Sequence, residues 1–98
     1  MPKAPCVYLL ANRRCGALYV GVTSDLVKRV FEHRNDLRPG FTSDHRVHRL
    51  VWYERHDLME SAIRRERAIK EWRRSWKIRL IETTNPEWVD LYESVLKV

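Results

Sequence analysis

Three consecutive stretches decide the fold: Cys6-Val7-Tyr8-Leu9-Leu10-Ala11, then Asn12-Arg13-Arg14-Cys15-Gly16, then Ala17-Leu18-Tyr19-Val20-Gly21-Val22. The two outer runs are apolar and rich in strand formers, and the middle one is polar and ends in glycine, so the spacing predicts a β-hairpin. A side-chain period of two places Cys6, Tyr8 and Leu10 together on the first strand. On the second strand Leu18, Val20 and Val22 share one face, and Tyr19 and Gly21 fall on the other.

Thr23-Ser24-Asp25 follows as a helix-start signal, because short oxygen-bearing side chains cap free N–H groups. The helix is expected to run to about Asn35, with Arg29 and His33 one turn apart at the border of the Leu26–Val30 apolar arc. Pro39-Gly40 marks residues 37–46 as a loop, in which Arg38, His45 and Arg46 either meet phosphate or face solvent. Val47–Glu54 reads as a third strand, with Leu50 and Trp52 on one face and Val51 and Tyr53 on the other. A long helix is expected from His56 or Asp57 to about Arg74, and a shorter one over Trp76–Ile81, with Ser75 a weak breaker between them. Asn85-Pro86 then reads as a cap and first turn of a last helix that packs through Trp88, Leu91, Tyr92 and Val95. The predicted fold is α+β, a small three-stranded antiparallel sheet flanked by helices in the order β-β-α-β-α-α-α. No repeat or linker interrupts it, and 98 residues are read as one domain.

One residue of the long helix is out of phase with its chemistry. With Ile69 as reference, Ala62, Met59 and Trp72 define an apolar arc, and Glu66 lies inside it at about 60°. A carboxylate turned toward a core is costly unless it is paired or holds a cation. Lys70 at i+4 offers an ordinary ion pair, with Arg73 and Arg65 also in reach, so packing and function both remain open for Glu66 at this point.

Charge narrows the partners. The chain carries 19 Lys and Arg against 13 Asp and Glu, a net +6. Residues 61–79, SAIRRERAIKEWRRSWKIR, hold eight basic and two acidic residues, so a surplus of +6 sits there alone. A concentrated arginine-rich face either is solvated or meets a polyphosphate. Its best candidates for nucleic-acid backbone contact are Lys70, Arg73, Arg74 and Lys77, and such binding weakens with salt by a slope of about −0.9 per duplex phosphate. The longest uncharged apolar run, Pro5–Ala11, is far short of the roughly 20 residues that span a bilayer. Met-Pro-Lys-Ala-Pro lacks the apolar core of a signal peptide, so a membrane or secreted protein is not expected and a cytoplasmic one is. Cys6 and Cys15 are too few for a disulfide framework and show no zinc spacing, so both are read as reduced.

Tyr8, Tyr19 eleven positions later, Gly21, Arg29, His33 and Glu66 form a set in order and on the appropriate elements. The set resembles the GIY-YIG endonuclease family, whose paired tripeptides read here Cys6-Val7-Tyr8 and Tyr19-Val20-Gly21. Cys6 stands where the motif has glycine. The resemblance spans nearly the whole chain and implies a metal-dependent endonuclease hydrolysing nucleic-acid phosphodiesters. DNA is expected ahead of RNA, with structure preference or weak sequence specificity, and repair or recombination is the family-level association. It implies that Tyr8 acts as the general base or positions the water, that Tyr19 orders the water, and that Gly21 lets the backbone approach phosphate. It further implies that Arg29 neutralises the phosphorane, that His33 takes the next helical position, and that Glu66 binds the metal, Mg²⁺ with Mn²⁺ able to substitute. A partner protein for targeting is also implied, and oligomeric state is left open. Relatives carry a late Asn near the site, but Asn85 is already explained as a cap and takes no such role. The alternative is a non-catalytic nucleic-acid-binding or adaptor protein on the same fold.

Elementary chemistry fits those roles. Phosphodiester hydrolysis needs an activated water, a cation for developing charge and in-line positioning. A lone carboxylate suffices for Mg²⁺ when waters and substrate oxygens supply the other ligands. Arginine offers a planar, permanently charged fork to phosphate. Tyrosine, with a free pKa of about 10, is an awkward base. The division of labour between Tyr8 and His33 therefore stays open in the sequence.

Overall fold

A computed structural model describes residues 3–37 and 40–97. The hairpin forms as predicted, from strand β1 (Cys6–Ala11) and strand β2 (Leu18–Thr23), paired antiparallel with Tyr8 opposite Gly21. Asn12 closes it: its Oδ1 accepts from the Ala17 N–H at 2.9 Å. Helix α1 (Leu26–Arg34) follows, and the Asp25 side chain caps it by accepting from the Lys28 N–H. Next come a single helical turn, α2 (Phe41–Asp44), and strand β3 (Arg49–Arg55). Helices α3 (Met59–Glu71), α4 (Arg74–Thr84) and α5 (Tyr92–Leu96) complete the order.

The sheet order is β2-β1-β3, all antiparallel, so β1 lies in the middle. Every residue of β1 is buried, which its unbroken apolar run requires because both sheet faces are covered. Val7, Leu9, Ala11 and Val20 pack with Ala62 and Ile69 of α3 and Ile81 of α4 on one face. Cys6, Tyr8 and Leu10 pack with Leu26 and Val30 of α1 and Val95 of α5 on the other. The two aromatic positions of the hairpin therefore face α1, and α3 lies behind the sheet.

Four details depart from the sequence reading. Residues 37–46 are not all loop, because α2 seats Thr42 in the interior. Leu50 and Trp52 lie on opposite faces: the β1–β3 register passes from Leu9–Trp52 to Leu10–Leu50, so Val51 is bulged and joins Trp52 on the α3 side. The long helix ends at Glu71, not Arg74, since Trp72 and Arg73 are extended, and α4 starts at Arg74 and not at Trp76. An uninterrupted helix would turn Ile81 by about 120° from Ile69. The break resets the phase and lets both isoleucines enter one core. Asn85 and Pro86 do not open a helix. Asn85 ends α4 instead, and its Nδ2 donates to the Val51 and Val89 carbonyls while Oδ1 accepts from the Val89 N–H. It thereby gives the carbonyl of the bulged Val51 a side-chain donor. Trp88 is buried, as expected, but outside any helix, with φ of 57° and its Nε1 donating to Glu82 at 2.7 Å.

The last segment also closes the sheet. Leu50 donates its N–H to Asp90 Oδ1, and Leu91 donates its N–H to the Leu50 carbonyl, so the free edge of β3 is partly covered before α5 begins. Cys6 is buried, Cys15 is exposed, and both are unpaired thiols.

Candidate functional site

Tyr8 enters the site from the central strand, Tyr19 from its neighbour, and His33 from the last turns of α1. The Tyr8 and Tyr19 rings lie 6.2 Å apart between centroids, Tyr8 and His33 5.9 Å, and Tyr19 and His33 5.3 Å. Tyr8 Oη is 3.0 Å from His33 Nε2, and His33 Nδ1 is 3.1 Å from Thr42 Oγ1. All three members of this chain are buried. The hairpin register, the 3.6-residue repeat of α1 and the single turn of α2 thus assemble a continuous polar path within an apolar layer.

Gly21 is required by the same geometry. It sits opposite Tyr8 in the ladder, and a Cβ built there would fall within the contact radii of the Tyr8 ring tip and hydroxyl. The missing side chain makes room for tyrosine. Gly21 does not have a positive φ, so the demand is one of space and not of backbone conformation.

Burial raises the Tyr8 pKa well above the ordinary tyrosine value of 10.0, and neighbouring Tyr19 pushes the same way. The Arg29 guanidinium acts on the Tyr8 hydroxyl in the opposite sense. Tyr8 therefore carries its proton at neutral pH. Both contacts are satisfied with Tyr8 donating to Nε2 and His33 Nδ1–H donating to Thr42, and equally with Thr42 donating to Nδ1 and Nε2–H donating to Tyr8. Arg29 is held by Glu32, Nε to Oε1 at 3.3 Å, one turn along α1. Beside this pair a hollow of about 230 Å³ opens, lined by Thr23, Asp25, Lys28, Arg29 and Glu32 among others.

Glu66 is buried, as its helical phase predicts, and lies on α3 behind the sheet. Its Oε2 accepts from Lys70 Nζ at 2.6 Å, the i+4 pairing foreseen as the ordinary alternative. The structure thus gathers Tyr8, Tyr19, Gly21, Arg29 and His33 on one face and sets Glu66 on the helix of the other. Among the described residues no group of three or more His, Cys, Asp or Glu side chains is placed to hold a metal. The donor chemistry that remains is a single carboxylate, which suits a small hard cation retaining most of its waters.

The basic quartet is more committed than its composition implies. Lys70 is on Glu66, Arg73 lies over the Trp76 ring at 5.1 Å, and Lys77 Nζ is 3.5 Å from the Lys70 carbonyl. Arg74 Nη2 donates to the Cys15 and Gly16 carbonyls at 2.6 Å, tying α4 to the hairpin turn. Of the three loop candidates, Arg38 lies outside the described residues. His45 is exposed, stacked on Phe41 at 4.2 Å with its Nδ1 on the Phe41 carbonyl, and Arg46 is exposed. Sequence reasoning missed two members of the site. Thr42 was hidden in a stretch whose Pro-Gly signal reads as loop. Glu32, at i+3 from Arg29, was legible from helical spacing alone.

The comparisons with known proteins bear on the family of the chain. The profile of the GIY-YIG catalytic domain matches residues 4–79. An UPF0213 protein of Staphylococcus saprophyticus is 36% identical over 66 residues, covering 67% of this chain and 80% of that protein. UPF0213 proteins of Staphylococcus epidermidis and Staphylococcus aureus are 33% and 34% identical over 67 residues, covering 68% of this chain and 82% of each relative. No solved structure gives a significant match. No helix of the described residues is long and apolar enough to cross a membrane. By its hairpin tyrosines, its sheet and the span of the profile match, the chain belongs to the GIY-YIG family of nuclease domains.

Proposed function

We propose that the chain is a single-domain, metal-dependent endonuclease acting in the cytoplasm on nucleic-acid phosphodiesters, DNA ahead of RNA, with structure preference or weak sequence specificity. The observation that carries this reading is the buried Tyr8–His33–Thr42 path beside Arg29. Buried polar groups linked in this way are costly to assemble for packing alone.

In this reading water attacks phosphorus and the bond to the leaving oxygen breaks. The proton of the water passes to Tyr8 Oη as the Tyr8 proton passes to His33 Nε2, and the leaving alkoxide is protonated by solvent. Tyr8 need not exist as a free phenolate, which its raised pKa disfavours. Arg29 Nε is used on Glu32, its guanidinium acts on the Tyr8 hydroxyl, and its remaining N–H groups would meet the phosphate. Glu66 would hold Mg²⁺, or Mn²⁺ in its place, once Lys70 swings away, and the bound cation would offset charge on the phosphate oxygens. Because Glu66 and the tyrosines lie on two sides of the sheet, edge strand β2 is where the scissile phosphate would meet both.

The Glu66–Lys70 ion pair is the observation that favours the non-catalytic alternative, in which the domain binds nucleic acid or a partner without turnover. End-labelled DNA and RNA, as single strands, duplexes, flaps and branches, incubated with Mg²⁺, with Mn²⁺ and with chelator, separate the two. Metal-dependent cutting lost in folded Glu66→Ala supports the nuclease and identifies its substrate. Binding without cutting on every substrate supports the alternative. A place in repair or recombination would follow from cleavage of flaps or branches over plain duplex.

A further inference from the structure

Trp76 stands apart from the other tryptophans. Trp52 and Trp88 are buried and Trp72 is half-buried, whereas Trp76 is 47% exposed. Trp72 and Trp76 meet edge to face, with centroids 6.1 Å apart at 77°, where the chain leaves α3 and enters α4. Together with Arg79, Leu80 and Thr83 they line a cavity of about 280 Å³. Arg65 lies over the Trp72 ring at 5.3 Å and Arg73 over the Trp76 ring. The cavity thus combines flat aromatic walls with the Arg79 guanidinium, and Arg65 and Arg73 sit on its two tryptophans, at the end of the stretch that carries +6.

We propose that this cavity is a subsite for an unpaired nucleobase, stacked on Trp76, with the flanking phosphates met by Arg73 and Arg79. The inference rests on the nucleic-acid reading above and extends it from a cleavage site to a substrate with a single-stranded segment. A nucleotide is the ligand that presents a flat π-face and an anionic phosphate together, matching both features of the cavity. A second copy of the chain fits poorly. A two-fold contact over Trp76 would bring the same arginine-rich stretch of each copy together, with like charges opposed. The subsite lies on the α3–α4 side of the sheet, so the nucleic acid engaging it is the part beyond the scissile phosphate.

The test is binding of the full-length chain, in chelator so that no turnover contributes, followed by tryptophan quenching and by anisotropy of a labelled oligonucleotide. The probes are a single-stranded DNA, the matching duplex, and an abasic sugar–phosphate oligomer of equal length. Trp76→Ala is expected to weaken single-strand binding by about 5- to 150-fold, the loss of one base–aromatic stack. Trp76→Phe is expected to keep most of the affinity, and the abasic oligomer to bind wild type about as weakly as DNA binds Trp76→Ala. Three results would overturn the proposal: equal affinity of Trp76→Ala and wild type, equal affinity for DNA and the abasic oligomer, or a solution dimer that Trp76→Ala dissolves. Failure of the nuclease reading is seen separately, as base-dependent binding through Trp76 with no cleavage when metal is restored.

Discussion

Gly21→Ala adds one methyl group at the point where the account allows none. The new Cβ meets the tip of the Tyr8 ring, and that ring has nowhere to go: Tyr8 is fully buried, bonded to His33 and flanked by Tyr19. Overpacking of this kind costs about 1–3 kcal/mol, or roughly 4–24 °C in melting temperature for a chain of this size. The alternative to that strain is displacement of the Tyr8 hydroxyl from Nε2, and a shift of about 1 Å in a reacting group costs on the order of 10²-fold in rate. The contact is isolated by repeating the change in Tyr8→Leu, which keeps an apolar filler and withdraws the ring tip. There Gly21→Ala should be neutral or stabilising by about 0.4–1 kcal/mol, because alanine restricts the unfolded chain. Urea unfolding of the four proteins gives the coupling energy directly, and cleavage assays on the two Tyr8-containing proteins give the catalytic cost. Equal effects of Gly21→Ala in both backgrounds would refute the steric argument, as would a wild-type background in which it changes neither stability nor cleavage.

Other consequences follow from the same contacts. Thr42→Val removes the oxygen on His33 Nδ1 and should lower cleavage and move its pH profile, with Thr42→Ser restoring both; an unmoved profile would mean that Thr42 only packs. Asn85→Ala withdraws the amide from Val51 and Val89 and should cost about 2 kcal/mol or more in urea unfolding, with cleavage per folded molecule unchanged. Tyr8 has its pKa raised in the folded state, so above pH 10 the unfolded chain releases a proton that the folded chain keeps, and stability falls as pH rises. The slope from Tyr8 approaches about 1.4 kcal/mol per pH unit, and Cys6, also raised by burial, adds to it from above pH 9.0. Tyr8→Phe should flatten the Tyr8 part, as read from urea midpoints across pH 8–11.

The hairpin and its consequences were legible because they depend on local pattern. An apolar run, a polar turn and a second run fix the pairing, and alternation then puts Tyr8, Tyr19 and Gly21 on the face that α1 covers. Helical spacing likewise put Arg29 and His33 at the border of the apolar arc of α1, and Glu66 inside that of α3. The features that escaped involve register and long-range partners. Nothing local distinguishes a bulge at Val51 from regular alternation, and its carbonyl is satisfied by Asn85, 34 positions away. The Asn-Pro pair carries a strong local helix-start signal, yet the tertiary demand of the bulge overrides it. The break at Trp72–Arg73 is invisible to propensity, since neither residue is a breaker, and arises because two isoleucines must reach one core. Thr42 enters the site only because α2 folds back onto α1, so its part could not be read from the loop that surrounds it.

The most direct test of the central claim, that the Tyr8–His33 pair moves the proton in phosphodiester cleavage, is single-turnover cleavage of the best substrate in Mg²⁺ by wild type, Tyr8→Phe and His33→Ala. Binding and unfolding of each protein would be measured alongside. The account predicts that both variants remain folded, bind substrate as wild type does, and lose cleavage to a similar extent, with the double variant scarcely worse than either single one. Full cleavage by either variant, or independent losses that multiply in the double variant, would contradict it.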